Sequence, residues 1–186
     1  VMRAQRNAYD AALAVSGADI IEIGDADETL EMELEGSINE KTAAIAYFAS
    51  TLYQRGSMKF EKVMEIAKKY KIPVIVDAAA QLPPKENLQK FTKVGADMVI
   101  FSGGKTLCGP QDSGVILGKK EWIERCIKFG APEHGICRVS KTSREAMAGL
   151  YTAIENYVNQ DEIERNQELR FLLHIISEKL KDGKMK

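Results

Sequence analysis

Two residues with complementary chemistry follow two apolar runs of the chain. Asp77 ends the run 72–76 (IPVIV), and Lys105 follows the run 97–101 (DMVIF) after the turn 102–104 (SGG). Their spacing is that of one strand–helix–strand unit, so a parallel sheet would bring both residues to the edge where ligands gather. A carboxylate and a primary amine beside a glycine-rich turn suggest two kinds of chemistry.

The first is phosphate binding by a P-loop, and the second is pyridoxal-phosphate catalysis. The P-loop pattern G-x-x-x-x-G-K-[ST] needs a glycine at position 99, where the chain has Val99. Pyridoxal phosphate needs a lysine amine for a Schiff base and a carboxylate that keeps its ring nitrogen protonated, so that the ring accepts electrons from a substrate carbanion. Asp77 and Lys105 supply these two groups, and the residues favour the second chemistry.

Strands that alternate with helices must position these groups. The apolar patterns predict strands at 19–24, 42–49, 73–77, 97–101 and 113–117, with helices at 58–70, 86–93 and 119–129. Ser57 is the expected N-cap of the first helix, and Thr142 with Glu145 is expected to open a last helix that runs on from Leu150 towards Asp182. The pattern predicts an α/β fold with a mostly parallel sheet and flanking helices.

Composition excludes several classes of protein. The 186 residues are 45% hydrophobic and 28% charged, with a net charge of −1, which excludes a disordered chain and gives no global attraction to nucleic acid or to an anionic membrane. The chain has no apolar run of the length of a membrane span, about 20 residues. Its three cysteines form no C-x-x-C pair, which favours a reducing, cytoplasmic setting. His134 and His174 are too few and too far apart for a metal site, so no metal is expected.

Several motifs carry a resemblance to a known family. They are Val76–Gln81 (VDAAAQ), Phe101–Lys105 (FSGGK), Gly109–Gly114 (GPQDSG) and the stretch 136–150. Together they resemble the fold-type-I pyridoxal-phosphate enzymes. Within these the chain is most similar to the selenocysteine synthase (L-seryl-tRNA selenium transferase) group and the related D-glucosaminate-6-phosphate ammonia-lyases. The resemblance covers about residues 9–157, and it implies the large domain of an aspartate-aminotransferase-like enzyme.

The resemblance implies roles for matching positions in a pyridoxal 5'-phosphate site. Lys105 would form the Schiff base and then transfer the substrate proton, and Asp77 would pair with the ring nitrogen. Ala79 would lie against the ring face, Ser102 would hydrogen-bond the phosphate, and Gln81 would reach the ring hydroxyl or the phosphate. Taken singly, Asp77 would more often be a turn cap and Lys105 a solvated loop lysine.

The resemblance also implies a homodimer or higher homo-oligomer with sites at the subunit boundary. Arg138 and Lys141 would offer cations there to the cofactor phosphate or to a substrate carboxylate, although both are also common at helix starts. His134 in the same segment is a further candidate for the site. Many distant relatives have a His before the lysine, where this chain has Gly104.

These expectations define domains and a function. Residues 1–150 would be the cofactor-binding large domain, incomplete at its N-terminus, and residues 151–186 a helix leading towards a C-terminal small domain that is absent. The expected activity is that of a lyase or transferase that eliminates a substituent from an amino acid or amino-sugar acid. Selenium transfer on seryl-tRNA and a non-catalytic scaffold are the alternatives, and the near-zero net charge favours a small-molecule substrate over tRNA.

Overall fold

A four-stranded mixed sheet forms the centre of the computed structural model, which describes residues 11–25, 27–50 and 55–181. The first three strands are parallel and the fourth is antiparallel to the third. The strands, in both chain and sheet order, are β1 (Ile45–Phe48), β2 (Val74–Asp77), β3 (Met98–Ser102) and β4 (Gly114–Gly118). The predicted mostly parallel α/β sheet is confirmed.

Helices connect and flank these strands. Two of them, α3 and α4, form the crossovers that parallel neighbours require. The helices are α1 (Ala11–Val15), α2 (Glu31–Ser37), α3 (Phe60–Tyr70), α4 (Asn87–Val94), α5 (Lys120–Phe129), a 3-10 helix (Ile136–Ser140), α6 (Arg144–Asn159) and α7 (Glu162–Lys181). Within the described ranges, none of these helices combines the length and the apolar character needed to cross a membrane.

The hydrophobic core lies on one face of the sheet. Alternate residues of β2 and β3 point to this face, and Val74, Val76 and Val99 are 0% exposed. Helices α3 and α4 cover it, and the Phe60 ring lies 5.0 Å from Tyr47 and 5.1 Å from Phe91 between ring centroids. The opposite face is less covered, because Ile100 and its partner Ile116 are 37% and 41% exposed.

A buried carboxylate joins three strands at the amino edge of the parallel strands. Asp97, which is 8% exposed, precedes β3. Its Oδ2 accepts a 2.8 Å hydrogen bond from the Val74 N–H at the start of β2, and its Oδ1 accepts a 2.7 Å bond from the Lys119 ammonium just after β4. A single side chain therefore satisfies a buried backbone donor and pairs with a cation.

The predicted strand at 19–24 is wrong. Residues 18–25 have no regular secondary structure and pair with none of the four strands. Ile21 is exposed, while Ile23 packs against the core. The apolar residues do alternate, but no neighbouring strand supplies ladder hydrogen bonds to this segment. It is therefore a loop that contacts the core through Ile23.

Two predicted helix starts are also wrong by one or two residues. Helix α3 follows Lys59 instead of Ser57, because its first residue, Phe60, is buried in the core. Helix α6 is capped by Ser143, whose Oγ accepts the Ala146 N–H at 3.0 Å, and Thr142 and Glu145 form no capping box.

The long last helix is interrupted. Helix α6 ends at Asn159, and Asp161 Oδ1 accepts the Ile163 N–H at 2.7 Å as α7 begins. An aspartate that caps its own downstream N–H groups favours a new helix start over continuation. The apolar side of α6 is only partly buried, since Leu150 and Ile154 contact the core. Three other large apolar side chains of the helix stay exposed, namely Met147, Tyr151 and Val158.

We expect Asp97→Ala to lower the free energy of unfolding by about 2 kcal/mol, because the buried Val74 N–H loses the carboxylate oxygen that accepts it. Asp97→Asn keeps a carbonyl acceptor and should lose less than half as much. Lys119→Met should change stability by less than about 1 kcal/mol, since the Lys119 side chain is 52% exposed. Urea denaturation of the three variants measures the difference, and equal losses for Asp97→Ala and Asp97→Asn would contradict the assignment.

Candidate active site

The register of the sheet places a carboxylate and a hydroxyl at one edge and on one face. Asp77 ends β2 and pairs with Ile100 of β3, and Ser102 ends β3 two residues later. Paired residues of neighbouring strands point to the same side of a sheet, and so do residues two apart along one strand. Asp77 and Ser102 therefore lie together on the less covered face, opposite the buried Val76 and Val99.

The Asp77 carboxylate is only partly used by the local backbone. It is half-buried, and its Oδ1 accepts the Ala79 N–H at 3.0 Å. Among the described residues, no cation pairs with Asp77 and nothing hydrogen-bonds to its other oxygen. The turn-cap interpretation accounts for one oxygen, and the second is available to a ligand.

Lys105 lies in a closed turn directly after β3. This lysine turn, residues 103–109, is bonded to the start of β4 because the Gly103 N–H donates to Ser113 O at 2.9 Å. The turn is closed by bonds from the Gly109 N–H to Gly103 O and from the Cys108 N–H to Lys105 O, both 2.8 Å long. The Lys105 side chain is exposed, and no acceptor in the described part of the chain engages its amine.

The two glycines of the turn are required by close neighbours. A Cβ at position 103 would overlap Ser113 Oγ and lie 2.8 Å from Leu150 Cδ1 of α6. A Cβ at Gly104 would lie 2.7 Å from Gln111 Cα, and the Gln111 amide donates to Gly104 O at 2.9 Å. There is consequently no space at position 104 for the His of distant relatives.

The fold around Lys105 does not suit a P-loop. In a P-loop the lysine opens a helix whose N-terminal amides bind phosphate. Here the lysine turn leads into β4, which is antiparallel to β3. The P-loop interpretation, already disfavoured by Val99 in the sequence, therefore also lacks the helix that a P-loop requires.

Ala79 and Gln81 follow Asp77 in the loop after β2. Ala79 is half-buried beside the carboxylate. Gln81 is buried, and its amide nitrogen donates to Ala49 O at 3.0 Å. The predicted contact of Gln81 with a ligand would therefore use its side-chain oxygen. The roles of both residues stay predictions.

The predicted cations lie on a different segment of the chain from the candidate residues at this edge. The 3-10 helix that contains Arg138 contacts α5, which in turn contacts β4. Arg138 Nη1 is shielded from solvent and has no hydrogen-bond partner in residues 11–25, 27–50 and 55–181, whereas Lys141 and His134 are exposed. Within the described part of the chain, no hydrogen bond or ion pair joins Arg138 or Lys141 to Asp77, Ser102 or Lys105. The roles of Arg138 and Lys141 stay predictions.

Sequence analysis missed two residues that hold the lysine turn. Thr106 Oγ1 donates to Leu82 O at 2.8 Å, and Arg165 of α7 donates to Thr106 O at 3.2 Å. Thr106 is adjacent to Lys105 and was a plausible candidate. Arg165, 59 residues away, carried no local signal.

Residues 10–185 match the family described as L-seryl-tRNA selenium transferase. The chain belongs to this family. It is 40% identical over 147 residues to D-glucosaminate-6-phosphate ammonia lyase of Salmonella typhimurium, covering 78% of this chain and 38% of that one. It is 30% identical over 159 residues to L-seryl-tRNA(Sec) selenium transferase of Alkaliphilus metalliredigens, covering 78% and 33% of the two chains. The resemblance predicted from the motifs is confirmed.

A solved structure confirms the fold class. The structure of D-glucosaminate-6-phosphate ammonia-lyase superposes with a TM-score of 0.75 and 37% identity, covering 86% of this chain and 42% of that one. The sheet and its helices are those of the large domain of a fold-type-I pyridoxal-phosphate enzyme. This chain spans less than half of the length of the relatives that it matches.

We expect Gly104→Ala to lower the free energy of unfolding by about 1–3 kcal/mol, because the new Cβ would overlap the Gln111 backbone. Gly36→Ala is the matched control: nothing lies within 4 Å of a Cβ at that position of α2, and the change should raise stability by up to about 1 kcal/mol. Chemical denaturation of both variants measures their free energies of unfolding. Equal stability of Gly104→Ala and the unmodified protein would show that the lysine turn is looser than its contacts indicate.

Proposed function

We propose that this chain forms the cofactor-binding part of a pyridoxal-phosphate-dependent lyase or transferase that acts on an amino acid or amino-sugar acid. One observation carries the proposal: Asp77 and Ser102 share a face and an edge of the sheet, and Lys105 follows in a turn fixed to the same edge. Membership of the family and the 40% identity to the ammonia lyase support it.

The residues present fit the cofactor. When bound, pyridoxal phosphate supplies an electron sink for a carbanion formed at the substrate α-carbon. The unused oxygen of Asp77 would hold a proton on the ring nitrogen. The hydroxyl of Ser102, which has no hydrogen bond to any described residue, would bind the phosphate. The free amine of Lys105 would hold the cofactor covalently.

Lys105 has a second task once substrate is bound. Its amine is exposed and unpaired, so Nζ can take the proton from the substrate α-carbon and return it to a product atom. The closed turn fixes the backbone of Lys105, and the flexible side chain covers the distance between the two positions of the proton. Loss of a substituent next to the carbanion completes an elimination, the chemistry that the name of the ammonia lyase describes.

Selenium transfer on seryl-tRNA is the second candidate, supported by the family match and the 30% identical relative. The net charge of −1 favours the small molecule, because tRNA binding requires cations that neutralise phosphates. Binding of seryl-tRNA that weakens steeply with salt would favour the transferase. A scaffold without catalysis is disfavoured by the joint presence of Asp77, Ser102 and Lys105.

The proposal includes a homo-oligomer in the cytoplasm. Arg138 Nη1 is buried and has no partner among the described residues, as expected of a guanidinium that awaits an anion from a cofactor or substrate of the neighbouring subunit. The three cysteines are free thiols, which supports a reducing compartment. The division at residue 150 stays a prediction within this proposal, and α6 passes through that position without a break.

Covalent capture tests the site directly. We expect protein incubated with pyridoxal phosphate and reduced with borohydride to carry the cofactor on Lys105, as mapped by peptide mass spectrometry. Lys105→Ala should lose this adduct, and the control Lys120→Ala, an exposed lysine at the start of α5, should keep it. An adduct that maps to another lysine would overturn the assignment.

We expect Asp77→Asn to retain the fold and lose turnover. The Asn oxygen can still accept the Ala79 N–H, but a neutral amide does not keep the ring nitrogen protonated. Ammonia release from D-glucosaminate 6-phosphate should fall at least about 100-fold, which corresponds to about 3 kcal/mol in the barrier. Asp112→Asn, a change at an exposed position, is the control. Unchanged turnover in Asp77→Asn would mean that Asp77 only caps its turn.

A further inference from the structure

One arginine of α7 contacts the lysine turn. Arg165 Nη2 donates a 3.2 Å hydrogen bond to the backbone carbonyl of Thr106, the residue that follows Lys105. The same guanidinium lies 5.5 Å from the ring centroid of Tyr157, which is 4% exposed at the end of α6. Stacking on a buried ring orients the planar guanidinium and lowers the entropy lost in forming the hydrogen bond.

Thr106 is held from two directions. Its carbonyl accepts from Arg165, and its Oγ1 donates at 2.8 Å to the carbonyl of Leu82, a buried residue in the loop after β2. The two contacts come from elements far apart in the chain. The peptide next to Lys105 is therefore fixed by α7 and by the loop that follows Asp77.

The first turn of α7 is tied to that same loop. Glu162 Oε1 accepts the Lys85 N–H at 2.6 Å, and Lys85 Nζ donates at 3.5 Å to Val158 O of α6. The loop after β2 thus contacts α7, α7 contacts Thr106, and Thr106 contacts the same loop, so each of the three is held by the other two. Further along α7 the large apolar side chains are exposed, including Phe171 and Leu173.

We propose that Arg165 is a positioning residue for Lys105 and that it couples the orientation of α7 to the lysine turn. Its meaning for catalysis rests on the proposed function, because Lys105 is the group that it positions. A movement of α7 shifts Arg165, and the Thr106 carbonyl is the point at which that shift reaches the turn. Arg165 acts through the backbone and does not touch the reacting atoms.

The first test measures the lysine turn in protein without cofactor. The Cys108 and Gly109 N–H groups close the turn, so their hydrogen exchange reports its opening. Arg165→Met removes the donors and keeps an unbranched side chain over Tyr157, and it should speed exchange of these two amides roughly tenfold. Arg165→Lys keeps one donor nitrogen, so its exchange rates at these amides should lie between those of Arg165→Met and those of the unmodified protein. Arg170→Met, at an exposed position of the same helix, is the control and should exchange like the unmodified protein.

The second test measures Lys105 itself. In Arg165→Met the rate of borohydride-trapped capture of pyridoxal phosphate by Lys105 should fall several-fold, and the pH titration of the visible absorbance of bound cofactor should shift. Arg165→Lys should restore part of both signals, which a purely structural role would not require.

The outcomes separate the two proposals. Unchanged exchange at Cys108 and Gly109 in Arg165→Met would overturn the coupling. Faster exchange in a protein that never captures the cofactor would support the coupling and overturn the proposed function. If Arg165→Met loses protection throughout the sheet, Arg165→Lys decides: exchange faster only in the lysine turn supports the proposal, and a uniform change contradicts it.

Discussion

The parallel pairing of β2 with β3 is the constraint on which the site depends. The register that sets Asp77 beside Ile100 also sets Val76 beside Val99, so one arrangement buries the core and aligns the two strand ends. A shift by one residue would turn Asp77 towards the core and expose the valines. The free energy of burying the apolar face therefore also fixes where the carboxylate lies.

Lys105 is positioned by backbone contacts rather than by its own side chain. Gly103 and Gly104 allow the segment before β4 and helix α6 to approach the turn more closely than any side chain would permit. The two hydrogen bonds that close the turn join main-chain atoms, and no described residue engages the Lys105 amine. An exposed side chain on a rigid backbone has a mobile end and a fixed origin, which suits the proton transfer proposed for Lys105.

The positions of β2 and β3 were predictable because their signals are local. The apolar runs 72–76 and 97–101, followed by Asp77 and Ser102, predicted these strands, and chain spacing put Lys105 just beyond the second one. The failures involve contacts between distant segments. The stretch 19–24 has the pattern of a strand but no neighbour to pair with, and the start of α3 depends on where Phe60 packs. Arg165 contacts Thr106 across 59 residues, a separation at which sequence spacing predicts nothing.

Asp97 lies at the opposite edge of the sheet from Asp77. There it satisfies Val74 and pairs with Lys119, whereas the acid and the amine at the carboxyl edge have no ionic partners among the described residues. The stabilising carboxylate and the candidate site thus lie at different ends of the same strands. New side chains can be tried at the carboxyl edge without disturbing the buried contact between Asp97 and Val74. A scaffold divided in this way suits a family whose members bear the names of different reactions.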